Sequence, residues 1–180
     1  MKDKCIIVLV GPSGSGKTTV GEALVRKGIP KLVTTTTREP RSGEQDGIDY
    51  HFRKVDELNP DNFVEQTVYN NRVYGLTKAE VSDALEVHDI VHVSLDRNGA
   101  VAMKKAFPEE TVVVFIHISK TVMAERMRKR GDSEEKIYER ICHSDDTNEL
   151  TPPKETDMIV ENITVEKTVD QILSHLNLVV

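Results

Sequence analysis

Residues 11–18, Gly-Pro-Ser-Gly-Ser-Gly-Lys-Thr, constrain this chain more than any other stretch. They fit G-x-x-x-x-G-K-[ST], a phosphate-binding loop that works only between a buried strand and a helix. Both flanks are present. Cys5-Ile6-Ile7-Val8-Leu9-Val10 has the length and β-branched content of a buried strand. Residues 19–26 read as a helix with Val20, Ala23 and Leu24 facing inward. The loop's amides and the helix N-terminus then point positive ends at phosphate oxygens. Gly11, Pro12, Ser13, Gly14, Ser15, Gly16, Lys17, Thr18 and Thr19 are expected to cradle a chain of phosphates. In that cradle Lys17 neutralises β- and γ-phosphate charge, and the Thr18 hydroxyl ligates Mg2+.

The rest of the chain repeats the alternation. Strand-like runs occupy residues 89–94, 111–118 and 158–160, and helical patterns occupy 99–107, 121–130, 134–149 and 165–178. Val122, Met123, Arg126, Met127 and Arg130 fall at helical spacings, and Asp132 with Glu135 reads as a capping-box-like start for the helix at 134. Strands alternating with helices predict an α/β fold on a parallel sheet, with sites at the carboxyl ends of the strands. Residues 33–75 break the pattern. They are rich in Thr, Arg, Gly, Asp and Asn, with short extended pieces at 34–37, 50–52 and 72–74. That is too long for a plain connection and reads as an inserted subdomain of mixed strands and turns.

Composition narrows the class. At 180 residues with 38% hydrophobic content, the chain suits one domain with a substantial core. With four Phe, four Tyr and no Trp, that core must be built from Val, Ile, Leu and Met. A net charge of −6 argues against broad binding to nucleic acid or anionic membranes, so positive charge must be concentrated locally. Cys5 and Cys142 form neither a disulfide framework nor a metal spacing. The stretch before the first strand does not read as a secretory signal, and no apolar run approaches a membrane span. A cytoplasmic protein is expected. Monomer and homodimer are equally compatible with the pattern. His92 and His117 lie in strand-like runs and read as structural.

Arg38 and Arg41 sit three apart in a turn-rich segment, followed by Tyr50. Guanidinium forks suit bidentate phosphate contact, although arginine pairs in loops are more often solvated. The ordered set of motifs adds weight: Gly11–Thr18, Thr36-Thr37-Arg38-Glu39-Pro40-Arg41-Ser42-Gly43-Glu44, Gly47-Ile48-Asp49-Tyr50-His51-Phe52, Phe63-Val64-Glu65 and Tyr74-Gly75. Asp96-Arg97-Asn98-Gly99, Arg126-Met127-Arg128-Lys129-Arg130-Gly131, Arg140 and Asp157-Met158-Ile159-Val160-Glu161-Asn162 continue it. Along nearly its whole length the chain resembles the guanylate kinases.

The resemblance implies a P-loop NTPase core (1–32 and 88–180), an inserted mixed α+β subdomain for a nucleoside monophosphate (about 33–87) and a short lid (about 126–145). It implies ATP and GMP as small-molecule partners, with Mg2+, and transfer of phosphate to GMP and also dGMP. Arg38, Arg41, Tyr50 and Tyr74 would hold the GMP phosphate. Thr34, Glu65 and Asp96 would face guanine. Arg126, Arg130 and Arg140 would reach the transferring phosphoryl group, with Lys17 and Arg38 sharing in catalysis, and Asn162 would lie near adenine. A carboxylate at 65 suits guanine chemically, because N1–H and the N2 amine are adjacent donors that adenine lacks. Asp96 also suits a plain helix N-cap.

Two departures stand out. Ser94 occupies a position where the family usually has aspartate, an acid that would help organise Mg2+, and Thr34 replaces the usual serine. A kinase of the same fold acting on another nucleotide or a ribose bisphosphate remains an alternative. So does a GMP-binding module with weak or no catalysis.

Overall fold

A computed structural model describes residues 4–177. The first strand, β1 (Cys5–Val10), is central and buried along its whole length. It pairs in parallel with β6 (Ile90–Ser94) on one side and β7 (Thr111–His117) on the other, and β8 (Met158–Glu161) extends the sheet beyond β7. Beyond β6, the segment at Pro30–Leu32 adds a short parallel edge: His92 N donates to Pro30 O and Leu32 N to His92 O. Parallel neighbours need crossovers, and the helices that supply them cover both faces.

The alternation of β1 divides the core. Cys5, Ile7 and Leu9 face one layer, against Val20 and Leu24 of α1 (Lys17–Arg26) and Val169, Ile172 and Leu173 of α6 (Val165–His175). Ile6, Val8 and Val10 face the other, against Ala100 and Met103 of α3 (Arg97–Ala106) and Val81 of α2 (Lys78–Val87). Each buried Val, Leu, Ile or Met among them contributes about 1.5–3 kcal/mol relative to exposure. Among the described residues, no helix is long and apolar enough to cross a membrane.

The inserted region forms its own sheet, in the order β3-β2-β5-β4, from β2 (Thr35–Thr36), β3 (His51–Phe52), β4 (Phe63–Tyr69) and β5 (Arg72–Thr77). The β4–β5 hairpin turns at Asn70 and Asn71, both with positive φ (48° and 56°). The extended reading of 34–37 shrinks to two residues in a strand, because Thr37 turns its hydroxyl to accept from Val73 N and leaves the β2–β3 ladder. Helix α2 was not read from the sequence: Val81 is its one buried residue, and it is started by the Thr77 side chain accepting from Glu80 N.

Helix ends depart from the sequence reading in three places. The helix α5 (Glu134–Asp146) is capped by Ser133, which accepts from Lys136 N, and not by Asp132. Asp132 is taken by the Arg130 guanidinium instead. The same helix stops at Asp146, short of 149, because Asn148 enters the left-handed region (φ 53°). The last helix ends at His175, and the expected end at 178 lies outside the described residues. Helix α4 (Lys120–Arg130) closes on Gly131 in left-handed conformation, with Asp132 N donating to Met127 O, and packs Met123 and Met127 against Ile118 and Ile137.

Candidate functional site

The loop between β1 and α1 is built by close approach. A Cβ on Gly11 would lie 2.5 Å from Ile116 O, and one on Gly16 would lie 2.2 Å from Asn162 Nδ2. Gly16 also takes the left-handed conformation (φ 93°) that starts α1. Asn162, just past β8, is spent on holding this loop: its Nδ2 donates to Ser15 O at 2.7 Å and its Oδ1 accepts from Thr168. Arg126 of α4 braces it from the other side, donating to Gly14 O at 2.9 Å and to Asn162 O at 2.7 Å. Ser13, Thr18 and Thr19 are exposed on the loop, while Pro12 is buried beneath it. The Ser15 hydroxyl is fully buried without a hydrogen-bond partner.

Lys17 donates to Gly11 O at 2.5 Å and Pro12 O at 3.1 Å, which curls its ammonium over the loop. Burial lowers its pKa below the ordinary lysine value, the Glu149 charge opposes that, and the Arg140 charge adds to it. A loop of close-packed glycines, an orphaned hydroxyl and a desolvated ammonium fits a polyphosphate chain. The exposed Thr18 hydroxyl fits a hard cation.

Lys17 opens into a cleft of about 870 Å³ between the two sheets. Thr34, Tyr50, Glu65, Tyr74, Ser94, Asp96 and Arg140 line the same cleft. Residues scattered from 17 to 140 in sequence therefore face one cleft. At the far end stand two acids. Burial, then the charge of Asp96, pushes Glu65 up to about 7. Asp96 has a second job as N-cap of α3, accepting from Gly99 N at 2.7 Å. Gly75 makes room for this end, since a Cβ there would lie 2.5 Å from Glu65 O and 2.6 Å from the Phe63 ring.

The arginines divide. Arg38 is boxed: it donates to Glu44 at 2.8 Å, and its guanidinium lies 5.4 Å from the Tyr50 ring and 5.7 Å from that of Phe52. Tyr50 meets Tyr74 edge-on at 6.2 Å, so the aromatic wall is continuous with the cleft. Arg41 is exposed, and its backbone N–H donates to Glu44 at 2.7 Å. Arg140 donates to Glu149 at 2.6 Å inside the cleft. Arg126 braces the loop, and Arg130 stays outside on Asp132. Arg130 and Arg140 are not brought together.

Sequence reasoning assigned no role to four residues. Glu44 closes the 38–44 turn through both arginines, and its place six residues after Arg38 was the available signal. Arg97, beside Asp96, donates to Asn148 O and Thr151 O. Thr67 and Glu149 line the cleft, and nothing local in the sequence marks either of them.

A family model described as guanylate kinase matches residues 3–178. A guanylate kinase from Fusobacterium nucleatum is 35% identical over 176 residues, covering 94% of each chain. One from Desulfitobacterium hafniense is 33% identical over 177 residues, covering 94% of this chain and 87% of that one. Among solved structures, a guanylate kinase from Anaplasma phagocytophilum superposes with a TM-score of 0.71 at 24% identity, covering 98% of this chain and 86% of that chain, and supports the fold.

Proposed function

The chain belongs to the guanylate kinase family, and on that premise we propose that it transfers the γ-phosphoryl group of ATP to GMP, releasing ADP and GDP. The observation that carries the reading is the pairing of ends within one cleft: Lys17 and the glycine loop at one end, Glu65 and Asp96 at the other. Guanine offers N1–H and N2–H side by side to Glu65 as a carboxylate, whereas adenine would leave that half-buried acceptor without the pair, at about 1–3 kcal/mol. A base-free ribose bisphosphate has no such adjacent N–H pair to offer Glu65.

The acceptor phosphate is already ionised near neutral pH, so no nucleophilic triad is needed. Arg38, Tyr50 and Tyr74 orient that phosphate, with Arg41 available from the exposed turn. Lys17 and Arg140 stabilise the charge that spreads over the transferring oxygens in an in-line displacement. Arg130 would join only if the lid moved. Thr18 would hold Mg2+, which supplies charge neutralisation when bound. Ser94 lines the cleft in place of an acid, so water-bridged contacts from Asp96 would substitute there. Residues 33–87 act as the acceptor-binding subdomain, 126–145 as a lid, and 1–32 with 88–180 as the core. Substrates of this kind point to the cytoplasm.

ADP release measured with GMP, dGMP, AMP, CMP and UMP tests the reading. GMP and dGMP should turn over. Preference for AMP would remove the role given to Glu65, and turnover with none would favour a binding module.

A further inference from the structure

Lys17, Arg140 and Glu149 line the same cleft, and the mechanism above uses only the two cations of these three. We propose that the third, Glu149, is a positioning residue for Arg140, fixing its guanidinium beside Lys17 before nucleotides arrive. The proposal rests on the reading of Arg140 as a phosphoryl-stabilising group.

The local sequence places Glu149 there. Asn148 takes the left-handed conformation, its N–H donates to Asp145 O at 3.1 Å, and Glu149 N donates to Ser144 O at 3.0 Å. This is the Schellman pattern of a helix end, and it turns the chain back along α5. The Glu149 carboxylate therefore returns to Arg140, nine residues earlier in α5, with the Arg140 Nη2–H donating to Oε2 at 2.6 Å. The buried Ser144 hydroxyl stands 3.4 Å from the same oxygen. From the core side, Arg97 Nη2 donates to Asn148 O at 3.0 Å and Thr151 O at 2.5 Å. The turn is held at both ends, so the carboxylate is a fixed point rather than the tip of a mobile loop.

Charge gives the arrangement its purpose. Lys17 and Arg140 line one cleft, and the Arg140 charge makes that of Lys17 costlier. The Glu149 carboxylate, bonded to Arg140, offsets that repulsion at Lys17. The contact uses one of the five N–H donors of Arg140, which leaves the remaining fork for phosphoryl oxygens. A bidentate pair would have blocked it.

The test compares Glu149→Gln, which keeps the shape and removes the charge, with Glu149→Asp. Glu149→Gln should lower kcat roughly tenfold with KM for GMP unchanged, as loss of orientation does, and Glu149→Asp should recover part of it. The double variant Glu149→Gln/Arg140→Ala should be no slower than Arg140→Ala alone. Unchanged kcat, additive losses, or a lower KM for ATP with kcat intact would overturn the proposal, the last because it would make the carboxylate a competitor of phosphate. Arg97→Met, which frees the turn from the other side, should show the same pattern more weakly, and serves if Glu149→Gln fails to fold. Side-chain NMR of Arg140 gives a readout independent of turnover: its Nη protons should be resolved in the unsubstituted protein and averaged in Glu149→Gln. No difference there overturns the positioning role whatever the substrate. A protein that phosphorylates no monophosphate, yet shows that NMR difference, would overturn the functional reading alone.

Discussion

The two ends of the cleft are built on opposite plans. The phosphate loop is eight consecutive residues, braced by Asn162 and Arg126 through backbone carbonyls. The acceptor end has no contiguous motif. It draws Thr34, Tyr50, Glu65 and Tyr74 from the inserted sheet and Asp96 from the core, and it is held by side-chain contacts such as Arg38 with Glu44. Main-chain recognition needs a particular backbone path, which a short motif can encode. Side-chain recognition needs separate elements brought to the right distance, and that depends on the whole fold.

The core and the cleft also differ in what they keep uncharged. His92 on β6 is buried with neither ring nitrogen hydrogen-bonded, and burial, then the charge of Lys31, lowers it to about 4. Glu65 is raised to about 7. The two oppose each other in pH. Between about 4 and 6.5 the unfolded chain protonates His92 first, so that stability is lost as pH falls. Between 4.5 and about 7 the folded chain keeps the Glu65 proton longer, so that stability is lost as pH rises.

The strongest attempt to break the contrast is Lys17→Ala. It should cut kcat by roughly 10³-fold or more while leaving the unfolding midpoint near that of the unsubstituted protein. Steady-state kinetics with a thermal melt checks both. Arg38→Ala should raise KM for GMP by roughly 10–100-fold with a smaller change in kcat. An untouched KM would move the acceptor phosphate away from the Tyr50 wall.

Smaller effects sharpen the pH contrast. Because Glu65 must be ionised to accept from guanine, GMP affinity should rise by up to about tenfold per pH unit as pH climbs toward 7, then level off. Calorimetry in buffers of different ionisation enthalpy should detect proton release on GMP binding at pH 6. In unfolding titrations, His92→Leu should unmask a stability that falls with rising pH between 4.5 and 6.5, and Glu65→Gln one that rises, each with a slope of at most about 1.4 kcal/mol per pH unit. Ser94→Asp should produce the smallest change, a modest tightening of the Mg2+ dependence of turnover. An unchanged Mg2+ titration would remove position 94 from metal organisation.

Much of this was legible without coordinates. β1, its loop and α1 follow from one motif, because glycine spacing and strand periodicity are local properties that no distant residue can override at a fully buried central strand. The core strands and four of the helices follow from periodicity for the same reason. Three kinds of feature were decided only by the tertiary structure. Helix α2 and the end of α5 depend on single capping residues, Thr77 and Asn148, whose conformation is settled by what the chain does next. Asn162 carries an amide suited to a ligand, but the fold consumes it on the Ser15 carbonyl. The arginines, alike in sequence, are sorted by the partner each reaches: Arg126 a loop, Arg130 Asp132, Arg140 Glu149. A charge finds its counter-charge through space, at distances set by packing, and no spacing along the chain encodes that choice.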